Sequence, residues 1–228
     1  MRTILVIALI VTYAASSVAQ APAKPYPNFA PLENYLEKTQ ANEIALARSA
    51  APSSISTAAD IFIFDSHGYH RAVTGKNGWT CMVQRSWNST FDNPEFWNPK
   101  IRVPICFNAA AARSVLPVYL ERTKWVLAKR SLPAVVAESK THSVPDPERG
   151  SFAMMMSKHG YLADGVGPAG PHVMVFLANT PRAAWGADLP GSPVGATPGD
   201  KPSITVFYLP ARTWSDGTPI IPKAQTPQ

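Results

Sequence analysis

Ala59-Asp60-Ile61-Phe62-Ile63-Phe64-Asp65-Ser66-His67-Gly68-Tyr69-His70 joins a run of aliphatic and aromatic residues to the densest polar cluster in the chain. Alternating Ile and Phe suit a pleated, buried surface, so Ala59 to Phe64 reads as a β-strand and Asp65 to His70 as the segment where that strand leaves the core. Downstream, Gly75-Lys76-Asn77-Gly78 is a turn signal, and Trp79 to Val83 is a second apolar run. These two runs are expected to pair as a hairpin.

The pattern has an echo in Phe152-Ala153-Met154-Met155-Met156-Ser157-Lys158-His159-Gly160-Tyr161, where an apolar run again meets a Ser and then His-Gly-Tyr. Either the echo is chance, or His67 and His159 sit at equivalent strand ends. Successive strand residues point to opposite faces, so the three methionines cannot all meet one ion and read as core. His172 to Leu177 and Ile204 to Leu209 are two further apolar runs bounded by Gly or Pro.

Helical spacing appears elsewhere. Leu32, Tyr35, Leu36, Ile44 and Ala47 recur among charged residues, predicting an amphipathic helix to about Ser49. Asn108 is placed to cap a short alanine helix, and Ser114 to cap a second with Pro117 in its first turn. Lys129 and Arg130 complement that helix's C-terminal dipole, and Ser131 is placed to cap a third helix from Leu132 to Ser139. The fold class expected is therefore α+β: an antiparallel or mixed β-sheet of about five strands packed against two to four helices. It would occupy residues 32–228 as a single domain, preceded by a Pro-rich lead-in over 20–31 that reads as an extended linker.

The first residues point to export. Arg2, the apolar run Ile4 to Tyr13 and the small residues of Ser17-Val18-Ala19 make residues 1–19 a signal peptide, with cleavage expected before Gln20. No later stretch is long and apolar enough to span a bilayer, so no transmembrane segment is expected in the mature chain, and its location is secreted or periplasmic. Cys81 and Cys106, the two cysteines, are then expected to form a disulfide. The net charge of +6 is scattered, which gives no basis for a nucleic-acid partner. Gly165-Val166-Gly167-Pro168-Ala169-Gly170 matches a dinucleotide fingerprint formally, but its prolines and the strand after it do not, so no nucleotide cofactor is expected. The segment reads as a glycine-rich flap beside His159 and His172.

Chemistry is sought first at the quoted stretch. His67 and His70 have the spacing of paired imidazole ligands for a divalent metal such as zinc, provided that Gly68 turns the backbone to bring them together. His159 and His172 would complete the set, with Asp65 or Glu95 as base or as partner to a ligating histidine. Ser66, or Ser157, beside a histidine is the alternative nucleophile, although no strained-turn serine motif is present. The bland reading is histidines that hydrogen-bond at a strand end.

The long stretch from Trp87 to Pro104 reads as an ordered surface loop. Its Trp87, Phe91, Phe96 and Trp97 would stack on a flat ligand with Asn88, Asp92, Asn93 and Asn98 bonding its hydroxyls, or would cover the disulfide as a small satellite core.

The stretches around His67-Gly68-Tyr69-His70, the helix from Asn108 and Lys158-His159-Gly160-Tyr161 resemble a family of uncharacterised exported bacterial proteins. The resemblance implies an exported, single-domain protein and no named activity. The function expected is a hydrolase, metal-assisted, acting on a small ester, lactone or amide. The alternative is a non-catalytic binding or envelope protein for a small or carbohydrate-like ligand.

Overall fold

A computed structural model describes residues 25–143, 145–198 and 204–220. The expected signal peptide lies outside the described residues, as do the first residues of the lead-in. The quoted stretch forms a strand, β1 (Asp60–Asp65), but its hairpin partner is β2 (Gly68–Val73), with Phe64 opposite Tyr69 and Asp65 opposite Gly68. The expected partner, β3 (Thr80–Gln84), instead runs parallel to β1, with Ile61 beside Cys81. The Gly75-Lys76-Asn77-Gly78 turn thus leads from β2 back across to β3. Gly75 is needed there because a Cβ on it would lie 2.3 Å from the carbonyl carbon of Ala59.

The remaining strands are β4 (Val103–Phe107), β5 (Phe152–Met155), β6 (His172–Ala178), β7 (Gly195–Pro198) and β8 (Ile204–Pro210). Together they make one eight-stranded sheet in the order β2-β1-β3-β4-β5-β6-β8-β7. Every pairing except β1 with β3 is antiparallel. The α+β class holds, and the strand count exceeds the five expected because β2, β4 and β7 carry weak signals.

Helices cover both faces. The segment expected as one helix from Leu32 is broken: a 3-10 turn spans Leu32–Tyr35, and α1 spans Gln40–Arg48. Thr39 adopts extended backbone between them and its hydroxyl accepts the Asn42 N–H, so it starts α1 instead of continuing a longer helix. After α2 (Ser53–Ser56) and β4, Asn108 caps α3 (Ala109–Ser114) by accepting the Ala111 N–H. The chain bends at Val115 into α4 (Leu116–Leu127), with Pro117 in its first turn, and continues into α5 (Leu132–Thr141). Ser114 does not cap α4; its hydroxyl donates back to Ala110 O.

Strand alternation assigns the two faces. Ile105, Phe107, Ala153 and Phe176 face α3 and α4, while Ile61, Ile63, Val83 and the cysteines face the alanines of α1 and its following turn. Cys81 and Cys106 are opposed in the β3–β4 register and joined as a disulfide. A third cluster gathers Tyr35, Phe64, Trp87, Phe96, Trp97, Val126 and Val135. The described part of the lead-in packs onto it, with Phe29 stacked on Tyr35 at a centroid separation of 4.8 Å, so residues 25–31 are not a free linker.

Candidate ligand site

A cavity of about 340 Å³ opens between the α4 side of the sheet and the segment that follows β3. Two buried arginines hold that segment in place. Arg85 directs Nη2 to Glu43 Oε2 on α1 at 2.8 Å, Nη1 to Val83 O at 2.7 Å and Nε to Tyr35 O at 2.7 Å. Arg122 on α4 donates Nη1 to Trp87 O and Ser89 O and lies over the Phe91 ring, and Thr123 accepts the Trp87 indole N–H at 2.9 Å. The 3-10 turn Ser86–Asn88 is thereby fixed against α4, with Asn88 bordering the cavity.

The sheet supplies the opposite wall because its antiparallel register lines up residues of one parity. Gln84 is opposite Val103, Met155 opposite His172, and Met174 opposite Tyr208. All six line the cavity with Val206, Ile204 and Phe176, while Val118 and Tyr119 of α4 and Val115 at the bend before it close the other side. The walls are mainly aliphatic and aromatic, with a few polar groups among them, the usual make-up of a small-molecule site.

Those polar groups are amides, hydroxyls, one imidazole and the Arg85 guanidinium. Asn88 is 8 % exposed, and neither its Oδ1 nor its Nδ2 has a hydrogen-bond partner among the described residues. Gln84 is 7 % exposed, and its Nε2 meets the Met155 sulfur at 3.9 Å. His172 places Nδ1 2.7 Å from Gly170 O, an acceptor, so Nδ1 carries the proton and Nε2 is left as the acceptor nitrogen. Burial lowers the His172 pKa, which keeps the ring neutral near neutral pH. Thr197 and Tyr208 share a hydroxyl hydrogen bond of 2.8 Å on the same wall. No residue lining the cavity carries a carboxylate, and Arg85 is occupied by its three partners.

The glycine-rich segment borders the cavity through Ala169, with Leu162 just before it, and His172 lines the same space, whereas His159 lines a separate cleft. The segment folds back on itself through Leu162 N–H to Gly167 O, with positive φ at Gly165 and Gly167. Asp164 pins it: Tyr161 and Tyr26 donate their hydroxyls to its carboxylate, and Lys100 Nζ lies 3.0 Å away. The Tyr161, Tyr26 and Lys100 contacts hold the Asp164 carboxyl well below the usual carboxylate range. Glu95 accepts the Asp164 N–H and bonds Asn98, which makes it a brace for this loop instead of a base beside the histidines.

The quoted polar cluster occupies the turn of the β1–β2 hairpin, at one end of the strand order. Asp65 Oδ1 accepts the His67 N–H at 2.8 Å, Ser66 Oγ lies 3.2 Å from His67 Nδ1, and Gly68 takes a φ of +104°. The Asp65 carboxylate is 3.7 Å from His67 Nδ1 and 3.4 Å from His70 Nδ1, so these three residues do converge. They sit in solvent, with the His67 side chain 89 % exposed. His159 lies apart, lining a cleft with Arg48, Lys158 and Asp216, and His172 is in the apolar cavity. The four histidines are thus divided among three places, because β2 and β6 are far apart in the strand order. Among the described residues no group of three or more His, Cys, Asp or Glu side chains is arranged to hold a metal.

Ser157 bonds Ser49 Oγ at 2.6 Å and the His159 N–H, which gives it a structural role. The aromatic loop reaches the surface at Thr90, Asp92, Pro94 and Lys100, but it does not cover the disulfide. Trp87, Phe96 and Trp97 are buried against Tyr35 and Phe64, whereas the disulfide lies against α1. Sequence reasoning picked out Asn88 and His172 but for other chemistry, and it passed over Gln84, Tyr208 and Thr197. The available signal was Gln84 itself, a polar residue closing the apolar run of β3.

No protein-family model, no curated protein and no solved structure matches this chain.

Proposed function

We propose that this protein binds a small, uncharged and largely apolar molecule in the cavity between β3–β8 and α4, without transforming it. The observation that carries this reading is the cavity's lining: apolar walls, a neutral imidazole and two buried amides, with no carboxylate to serve as base or nucleophile partner. The export-type segment at residues 1–19, the Cys81–Cys106 disulfide and the described helices, none of which is long and apolar enough to cross a membrane, support a secreted or periplasmic setting for such a binder.

The test is titration with the neutral dye N-phenylnaphthylamine, whose fluorescence rises in apolar surroundings. Saturable binding is expected in the wild type and its loss in Val206→Trp, with folding of both checked by circular dichroism. Absence of saturable binding, or equal binding by Val206→Trp, overturns the proposal. The convergence of Asp65, His67 and His70 is the one feature favouring the hydrolase reading. An esterase and lactonase screen with and without chelator decides it, because chelator-sensitive turnover lost in His67→Ala would place function at the hairpin.

A further inference from the structure

We infer that the cleft holding Lys158 and His159 is a second binding site, and that it takes a tetrahedral oxyanion: the phosphate or sulfate group of an ester, or the free ion. The cleft measures about 280 Å³ and shares no lining residue with the apolar cavity, so this inference does not depend on the ligand reading of that cavity.

Three segments meet at the cleft and are tied to one another. Met156 N–H donates to Ala50 O at 2.9 Å, Ser215 N–H donates to Met156 O at 2.9 Å, and the Ser49 and Ser157 hydroxyls lie 2.6 Å apart. The chain between α1 and α2 is thereby fixed against the residues that follow β5 and those that follow β8.

These segments bring hydrogen-bond donors without partners into the cleft. Arg48, half-buried in the last turn of α1, makes no hydrogen bond or ion pair among the described residues, and of its guanidinium nitrogens only Nε is enclosed, which leaves Nη1 and Nη2 open. The dipole of α1 accounts for a cation at this position but not for a guanidinium set among unpaired hydroxyls. Ser56 on α2 is 4 % exposed, yet its hydroxyl is neither enclosed nor bonded among the described residues, so the surface it retains faces the cleft. Ser53 and Ser215 add two more unbonded hydroxyls, and the exposed His159 ring adds an N–H.

The carboxylate of Asp216 also lines the cleft, but it is already engaged. It accepts from Lys158 Nζ at 2.7 Å and from both the N–H and the hydroxyl of Thr218, contacts that hold its carboxyl well below the usual carboxylate range. With Lys158 and Asp216 neutralising each other, Arg48 leaves an uncompensated positive charge, and a matching ligand supplies acceptors and negative charge. A planar carboxylate meets the Arg48 fork with both its oxygens and has none left for the serines. A tetrahedral oxyanion has further oxygens that project out of the plane of the fork toward them.

The experiment titrates the full chain at constant ionic strength with sodium phosphate, sodium sulfate, phenyl phosphate and sodium acetate, followed by calorimetry and amide-detected NMR. The tetrahedral probes are expected to bind saturably and more tightly than acetate, with shifts gathered at Arg48, Ser53, Ser56, His159 and Ser215. Arg48→Gln should weaken binding about tenfold or more through the loss of charge-assisted hydrogen bonds, and Ser56→Ala about threefold or more. Lys140→Gln, which removes an exposed charge from α5, should leave binding unchanged. Ser56→Ala carries the test should Arg48→Gln misfold. Binding of phenyl phosphate well above the inorganic ions assigns an ester as the ligand, and equal binding assigns the free ion. No saturable binding of any tetrahedral probe, acetate bound as tightly as they are, affinities unmoved by both cleft variants, or an equal loss in Lys140→Gln overturns the inference and leaves the cavity reading untouched.

Discussion

Replacing Arg85 by Met tests whether the segment that carries Asn88 is held by a buried ion pair. The Arg85 side chain is fully buried and that of Glu43 is 2 % exposed, so the substitution strands a carboxylate away from water. Glu43 Oε1 already has no hydrogen-bond partner among the described residues, which leaves Oε2 and its 2.8 Å contact as the carboxylate's described link. Removing one member of such a pair costs about 3–5 kcal/mol. Tyr35 O loses a charged donor as well, at roughly 1 kcal/mol, whereas Val83 O keeps the Tyr69 hydroxyl at 2.6 Å. The expected loss of about 4–6 kcal/mol is comparable with the entire stability of many domains. Urea unfolding followed by tryptophan fluorescence measures it. Adding Glu43→Leu to Arg85→Met should restore at least about 2 kcal/mol, since a pair replaced by apolar groups avoids the stranded charge. An Arg85→Met loss below about 1 kcal/mol, or a double variant no more stable than the single one, would refute the reasoning.

Other outcomes follow from the same structure. Reducing the Cys81–Cys106 disulfide, which closes a sequence separation of 25, should cost about 3–4 kcal/mol and lower the urea midpoint in dithiothreitol. His172 has a folded pKa depressed by burial, so the unfolded chain takes up its proton first as pH falls; stability should decline below about pH 6.5 through this group, and His172→Phe should lose that part of the slope in urea titrations at pH 7.5 and 5. Gly75→Ala drives a methyl group into the Ala58–Asp60 backbone and should cost about 3 kcal/mol or more, while Gly165→Ala meets open space and should cost only about 1 kcal/mol for its positive φ, both read as shifts in thermal midpoint.

How much of this was legible in the sequence depended on whether local chemistry and tertiary context agreed. β1 is an alternating Ile and Phe run, β5, β6 and β8 are apolar runs bounded by Gly or Pro, and Asn108 caps α3 as its side chain suggests. β2 was hidden because an edge strand carries polar residues, here His70 and Arg71, that read as loop. β4 was hidden by Pro104, which normally argues against a central strand. Its ladder with β5 spans only Cys106 and Phe107, so on that side Pro104 lies beyond the paired residues. The hairpin was misassigned because Gly75-Lys76-Asn77-Gly78 is a real turn, but one that returns the chain to the far side of β1.

The site was half legible for a related reason. Clustering along the chain drew attention to Asp65, Ser66, His67 and His70, which a two-residue turn brings together at the surface. The cavity is instead assembled from residues on six strands, aligned by register, together with one turn, one helix and the loops between them. Asn88 and His172 were noticed as polar residues, but the setting of each depended on a partner distant in sequence: Arg122, which holds the carbonyls on either side of Asn88, and Tyr208, whose ring meets that of His172.

The most direct measurement of the central claim is an amide-detected NMR titration of the full chain with N-phenylnaphthylamine. The account predicts saturating shifts confined to the cavity, at Gln84, Asn88 with its side-chain amide, Val103, Met155, His172, Met174 and Tyr208. Shifts centred on the Asp65–His70 turn, or spread without saturation over the surface, would contradict it.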